Sequence, residues 1–457
     1  MISSSEVVAS LGSLLRERRQ GDGAHSAARF RRVVIDSRQA GRGDLFVALP
    51  GARHDGQQFA VDAAARGAKG VLVRELVEGL PEGVDVFVVT DTLAALQRLA
   101  AGRRDRRSAK IIGVTGSVGK TTTKEIVAAV LATRYAVLKN EANYNNEIGL
   151  PLTLLGLTNR HKRAVLEMGM YAQGEIRMLC EIARPEVGVV TNIGPSHLER
   201  LGSLEAIVAA KAELPESLPP QGFAILNADD PLVMTMAERT RAQPLTYGTS
   251  AEADVRASDV ESRGLDGVSF ALHWKGESAV ARTRLPGRHI VSNALAAAAV
   301  GLADGMPLRD VVAALETAEV PLRLHVFRAK GGGTILDDTY NASPASMAAA
   351  LDLLAEIPGR RIAVLGEMAE LGAASREGHL AVGRRAAETA DIIHAVGEQG
   401  ELIAEAARAS GHHAIYEYPT KEAALEAVSA GLRPDDVVLL KASRAMAFET
   451  LLEALKE

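Results

Sequence analysis

A chain of 457 residues exceeds what one hydrophobic core sustains, so two or three domains are expected. Hydrophobic residues at 47% and charged residues at 24% exclude a disordered chain, and one cysteine, Cys180 in the apolar run IRMLCEIA, excludes an intrachain disulfide and reads as buried packing, not as a nucleophile. With 57 acidic against 52 basic side chains the formal net charge is -5, which leaves no electrostatic case for nucleic acid or an anionic membrane as the main partner.

The opening stretch, MISSSEVVASLGSLLRERR, carries an acid early and lacks the basic start, apolar run and small-residue cleavage site of a secretory signal. No window of about 20 apolar residues is present to span a membrane, and a cytoplasmic location is expected. Short β-branched runs then alternate with alanine-rich stretches, at 33–35, 44–49, 86–90, 111–115, 164–168, 187–193 and 223–227, and again at 334–338, 362–368, 392–396 and 437–441. Strands alternating with helices predict an α/β protein with mainly parallel sheet covered by helices. One boundary is the charged stretch at 102–108, whose basic run at 103–107 reads as a solvated linker; a second lies near Val320 and Pro321. They divide the chain into 1–107, 108–320 and 321–457. Ser343 before Pro344, and Ser375, read as capping hydroxyls that open helices. Such starts place polar residues at the carboxyl ends of strands, where open α/β sheets bind ligands.

The run IIGVT leads into Gly116, Ser117, Val118, Gly119, Lys120, Thr121 and Thr122, and the following KEIVAAVLATRY puts Ile126, Val127, Val130 and Leu131 on one helical face. Strand, glycine loop and helix together suit a nucleoside triphosphate. Glycines let backbone N–H groups face phosphate oxygens, the helix start adds partial positive charge, Lys120 reaches the terminal phosphates and Thr121 can ligate Mg2+. Val114 stands where the longest form of the pattern has its first glycine, and the bland alternative is a tight strand-to-helix turn. Glu167, closing AVLEMG, is a carboxylate at a strand tip suited to Mg2+ directly or through water. Taken alone, His197 in TNIGPSHLE reads as a structural histidine, and Lys211 in VAAKAEL as a solvated helix lysine.

Together these residues resemble the Mur ligase family, the ATP-dependent amide-forming enzymes of bacterial peptidoglycan synthesis, and the resemblance reverses both bland readings. TGSVGKTT is similar to the family's ATP loop, EMG to its glutamate motif, GPSHLE to its metal-binding histidine motif and AAKAEL to the site of its carbamylated lysine, Lys211. Asn293 in GRHIVSNALAAAA is similar to the asparagine near the adenine, with Ile290 where the family often has Asn. Arg323 in PLRLHVF is similar to the ATP-contacting arginine, with Leu322 replacing the usual glycine, and Asp338 in ILDDTYNASP to the ribose-binding aspartate. The resemblance implies a small N-terminal UDP-substrate domain, a central phosphate-loop ATPase domain and a C-terminal Rossmann-like domain.

Within the family, NYNNEIGLPLTLL at 143–155, DDTYNASPASM at 337–347 and VLGEMAELG at 364–372 are similar to the members that add D-alanyl-D-alanine to UDP-N-acetylmuramoyl-tripeptide. Implied substrate contacts are Ser37, Arg38 and Arg53 toward the UDP-sugar, Asn143, Asn145 and Asn146, and, toward the dipeptide, Asn341, Ser343, Lys441, Ser443 and Arg444. Two Mg2+ ions are implied, one at Thr121 and Glu167 with the ATP phosphates and one at His197 and carbamylated Lys211. A monomer is the family-level expectation. Two other readings stay open: a sister ligase adding a different amino acid, and, from another class, a phosphate-loop switch or kinase.

Overall fold

The computed structural model describes residues 1–21, 28–51, 54–196, 198–321 and 323–457. Two expected site residues, Arg53 and His197, lie outside the described residues. Met1–Gly113, Arg134–Gly169 and Glu175–Glu186 form one compact unit, and Val114–Thr133, Met170–Gly174 and Val187–Glu457 form another.

In the first unit five strands stand in the order Leu15–Arg19, Asp85–Val89, Gly70–Val73, Leu45–Val47, Val33–Val34. Only Leu15–Arg19 runs antiparallel to its neighbour. Its sequence, LRERR, has one apolar residue and four exposed charged ones, so hydrophobic periodicity cannot reveal it; charge on an edge strand also blocks further pairing. In the same unit Ala136–Lys139 pairs in parallel with His161–Glu167. Cys180 is buried as expected, with its Sγ 3.8 Å from Met168 Sδ.

The helix Thr92–Asp105 corrects the expectation of a solvated linker. Asp91 caps it, accepting the N–H groups of Leu93 and Ala94 at 2.8 and 2.9 Å. Arg103 and Arg104, in its last turn, are only 5% and 6% exposed. Arg103 Nε donates to the Leu157 carbonyl and Arg104 Nη1 to the Ile182 carbonyl, each at 2.8 Å. Those carbonyls lie at or just beyond the carboxyl ends of the helices Gly149–Leu155 and Glu175–Ala183, where a helix leaves acceptors unsatisfied. Within the basic run Arg103 and Arg104 clamp helix ends, while Arg106 stays exposed.

In the second unit the strands Val187–Val190, Phe223–Asn227, Gln243–Gly248 and Val255–Ser262 pair in parallel in that order, and Val268–Trp274 and Glu277–Thr283 continue as antiparallel hairpins. Glu277–Thr283 is largely exposed, and polar residues interrupt both hairpin strands, so they lack the continuous apolar runs that mark the buried parallel strands. Six further strands stand in the order His325–Arg328, Thr334–Asp337, Asp436–Lys441, Arg360–Leu365, Ile392–Val396, Ile415–Tyr418, all parallel except the first. One face packs on the helices Pro344–Glu356, Ser375–Thr389 and Gly400–Ala409, the other on Lys421–Gly431 and Glu449–Leu455. Ser343 caps its helix as expected, accepting the Ser346 N–H at 3.4 Å. Ser375 does not: it is the first residue inside the helix, Ala374 is the cap and no side-chain cap bond forms. The hydroxyl comes one position too late.

His394, buried on the strand Ile392–Val396, stacks between Tyr416 and Tyr418, with Nδ1 3.1 Å from the Tyr418 hydroxyl. Burial pushes its pKa down from 6.5 to about 4. The unfolded chain therefore takes up a proton between those values that the folded chain refuses, and stability falls as pH drops through that window. The loss is expected to be about 3 kcal/mol between pH 7 and pH 4, measurable as a shift in urea midpoint that a His394→Phe variant does not show.

Candidate nucleotide and metal site

Strand Lys110–Thr115 delivers the chain to the loop, and helix Lys120–Ala132 takes it away. Both loop glycines are structural necessities. Gly116 (φ +147°) would drive a Cβ to 1.8 Å from Thr191 Oγ1, and Gly119 (φ +83°) to 2.7 Å from Asn293 Nδ2. The loop is braced by the segment after strand Val187–Val190. Asn192 accepts the Val118 N–H through Oδ1 at 2.8 Å and the Ser117 N–H through its carbonyl at 2.9 Å, while its Nδ2 donates to the Val118 carbonyl at 3.0 Å. Thr191 Oγ1 donates to that carbonyl at 2.7 Å, and Ser117 Oγ accepts the Gly194 N–H at 2.8 Å. Two loop N–H groups expected to face phosphate are thus committed to Asn192, whereas a helix start such as that at Lys120 leaves its own first-turn N–H groups without helical partners.

Two lysines converge on one carbonyl. Lys120 Nζ donates to Gly116 O at 2.7 Å and to Ser117 O at 3.1 Å; Lys211 Nζ, from helix Leu204–Glu216, donates to the same Gly116 O at 2.9 Å. Lys211 is 2% exposed. Burial, reinforced by the neighbouring Lys120 charge, holds its pKa well below the usual lysine range, so the neutral amine is favoured. Two ammonium charges sharing one acceptor repel each other, and the burial of Lys211 leaves that repulsion poorly screened.

Glu167 ends the strand His161–Glu167 in the first unit and is 2% exposed. Asn140 bonds both its backbone groups, accepting its N–H at 2.9 Å and donating to its carbonyl at 3.0 Å, and Asn145 Nδ2 donates to its Oε1 at 2.9 Å. Asn146 turns to the helix that follows, accepting the Gly149 N–H at 2.9 Å, and Asn143 is exposed. Ser37 is buried and bonded to Asp62, and Arg38 is held bidentate by Asp36 at 2.7 to 3.2 Å.

Arg323 Nη2 donates to Thr121 Oγ1 at 2.8 Å, which brings it to the loop. Asn293 Nδ2 donates to Thr123 Oγ1 at 2.8 Å and so braces the loop helix from behind. Asp338 Oδ2 accepts Lys441 Nζ at 2.5 Å, and that buried amine also donates to the Asn341 carbonyl at 2.9 Å, so these three residues form one knot. Ser443 is buried, its N–H on the Glu367 carbonyl at 2.8 Å. Arg323 and Arg444 flank the Tyr340 ring at 4.0 and 5.1 Å. Asn192, Asn140 and Tyr340 were not foreseen. The first could have been: it is the first amide side chain after the apolar run VGVV.

Comparison with known proteins matches three family models: the Mur ligase family catalytic domain at residues 29–104, the Mur ligase middle domain at 114–301 and the Mur ligase glutamate ligase domain at 322–444. A UDP-N-acetylmuramoyl-tripeptide–D-alanyl-D-alanine ligase of Bacillus subtilis is 38% identical over 430 residues, 93% of each chain. Among solved structures, MurF from Acinetobacter baumannii is similar at a TM-score of 0.88 and 33% identity, covering 99% of this chain and 98% of that one. The MurF ligase of Thermotoga maritima in complex with ADP is similar at 0.81 and 31%, covering 93% and 96%.

Proposed function

Because the chain belongs to the Mur ligase family, we propose that it spends ATP to join D-alanyl-D-alanine to UDP-N-acetylmuramoyl-tripeptide, a step of peptidoglycan precursor synthesis, through an acyl phosphate. The observation that carries the chemistry is the pair of lysine amines on the Gly116 carbonyl, one at the start of the loop helix and one buried.

The tripeptide's terminal carboxylate attacks the γ-phosphorus and ADP leaves; the dipeptide amine then attacks the acyl carbon, and inorganic phosphate leaves. Two unit anions about 4 Å apart at an effective dielectric of ~20 repel by about 4 kcal/mol, so the first attack needs cations. Lys120 supplies one, swinging from the loop carbonyls to the terminal phosphates. The donors suit a hard cation: the Thr121 hydroxyl, the buried Glu167 carboxylate and, once the neutral Lys211 amine has added carbon dioxide, two carbamate oxygens. With His197 they would hold two Mg2+ ions, which when bound neutralise phosphate and carboxylate charge. Arg323 and Asp338 take the nucleotide, with Asn293 bracing its loop. Ser37, Arg38 and Arg53 take the UDP-sugar; Asn145 orients Glu167, with Asn143 and Asn146 beside it. Asn341, Ser343, Lys441, Ser443 and Arg444 form the dipeptide's surroundings, of which Lys441 acts through Asp338 and Asn341. The working domains are 1–107, 108–320 and 321–457, a division supported by the three matched family segments. Among the described residues no helix is long and apolar enough to cross a membrane, and the proposed location is cytoplasmic, as a monomer.

ADP release measured against a panel of acceptors tests the assignment. It is expected to need UDP-tripeptide and D-alanyl-D-alanine together; release driven equally by single amino acids would make the chain a sister ligase, and release without either substrate a simple ATPase.

A further inference from the structure

Residues 198–201 form a short helix that meets one turn of the C-terminal body, the six-stranded sheet of His325–Arg328 to Asp436–Lys441 with its helices. The Glu199 N–H donates to the Glu370 carbonyl at 3.4 Å, and Arg200 Nη2 lies 3.8 Å from Glu370 Oε1. The same guanidinium stands over the Tyr171 ring, 4.7 Å from its centroid. Tyr171 belongs to the segment that follows the Glu167 motif, and the other end of that segment is pinned by Glu213, whose buried carboxylate accepts the Gly174 N–H at 2.7 Å. Glu213 lies two residues beyond Lys211 on the same helix.

The turn itself adopts a costly backbone to make this approach. Glu370 has φ +65° and Gly372 φ +51°, and a Cβ at 372 would come 3.0 Å from Glu199 Cα. A non-glycine residue held in the left-handed region persists where its surroundings fix it. Here the helix backbone and Arg200 are among the contacts that fix it.

We infer that Arg200 is a positioning residue: it ties the Glu370 turn of the C-terminal body to the helix after residue 197 and to the segment after Glu167, so that the loops of the phosphate and metal site keep register with the body that gathers the dipeptide. The inference rests on the ligase reading above. Ion pair and cation–π contact are each modest at an exposed site, so their effect is on how much of the time the assembled arrangement persists.

A double-mutant cycle tests it, with Arg200→Gln, Glu370→Gln and the pair assayed for ligation at saturating ATP and UDP-tripeptide. Each single change is expected to lower kcat/KM for the dipeptide by roughly three- to tenfold, with the KM for ATP unmoved. The pair should do no worse than Arg200→Gln alone, and the gap to the parent should close as salt screens the ion pair. Singles within twofold of the parent, or losses that multiply in the pair, overturn it. Hydrogen exchange over residues 368–374 reads the same contact without any turnover. Faster exchange in Arg200→Gln is expected and unchanged exchange contradicts the inference, whereas a parent that makes no amide defeats only the ligase reading.

Discussion

Replacing Lys120 with Ala is expected to lower ligation by at least about 10³-fold, most of it in kcat, because in the proposed reaction this amine leaves the loop carbonyls to offset the charge that develops on the transferring phosphoryl group. Folding should survive. Alanine is the best helix former, and the Lys120 side chain contributes two bonds to loop carbonyls at a half-buried position, not core packing. The variant has a second consequence: Lys120 is one of the two causes that hold the Lys211 pKa down. Its removal would raise the charged fraction of Lys211 and, on the proposed carbamate reading, would weaken carbamate formation, so added bicarbonate is expected to recover some binding of metal but little turnover. A rate within about tenfold of the parent would overturn the loop assignment.

Lys211→Ala is expected to cost about 10²- to 10³-fold in turnover, since it removes the anionic oxygens that carbamylation would provide. Short carboxylic acids such as acetate should restore part of the rate by occupying the vacated space with a carboxylate. The pH dependence has a definite sign. Below its folded pKa the Lys211 amine is charged and no longer adds carbon dioxide, so activity supported by the carbamate is lost as pH falls through that depressed value and is retained above it. The Lys211→Ala enzyme rescued by acetate should lack this limb. Near-normal turnover in the unrescued variant would remove the carbamate from the account.

The phosphate loop was legible because all of its parts are contiguous: a β-branched run, two glycines, Lys120, Thr121 and an amphipathic helix. The parallel strands were legible for a related reason, since burial on both faces leaves continuous apolar runs. Lys211 was not legible from composition. A lysine in an alanine-rich helix reads as solvated, and its burial depends on Gly116, 95 residues earlier in the chain. Its proposed role comes only from the family resemblance. The arginines at 103 and 104 misled for the converse reason, because a charge run looks solvated until helix ends supply carbonyls for it. Asn140 acts through the backbone groups of Glu167, a distant segment, which no local pattern records.

The oxygen that moves from carboxylate to phosphate gives the most direct test of the acyl phosphate. If the tripeptide's terminal carboxylate is labelled with ¹⁸O and the inorganic phosphate is analysed by mass spectrometry, attack on the γ-phosphorus followed by amide formation must place one labelled oxygen in each phosphate released. Phosphate that leaves unlabelled while amide accumulates would mean that the carboxylate never accepted the phosphoryl group, and the acyl phosphate would have to be abandoned.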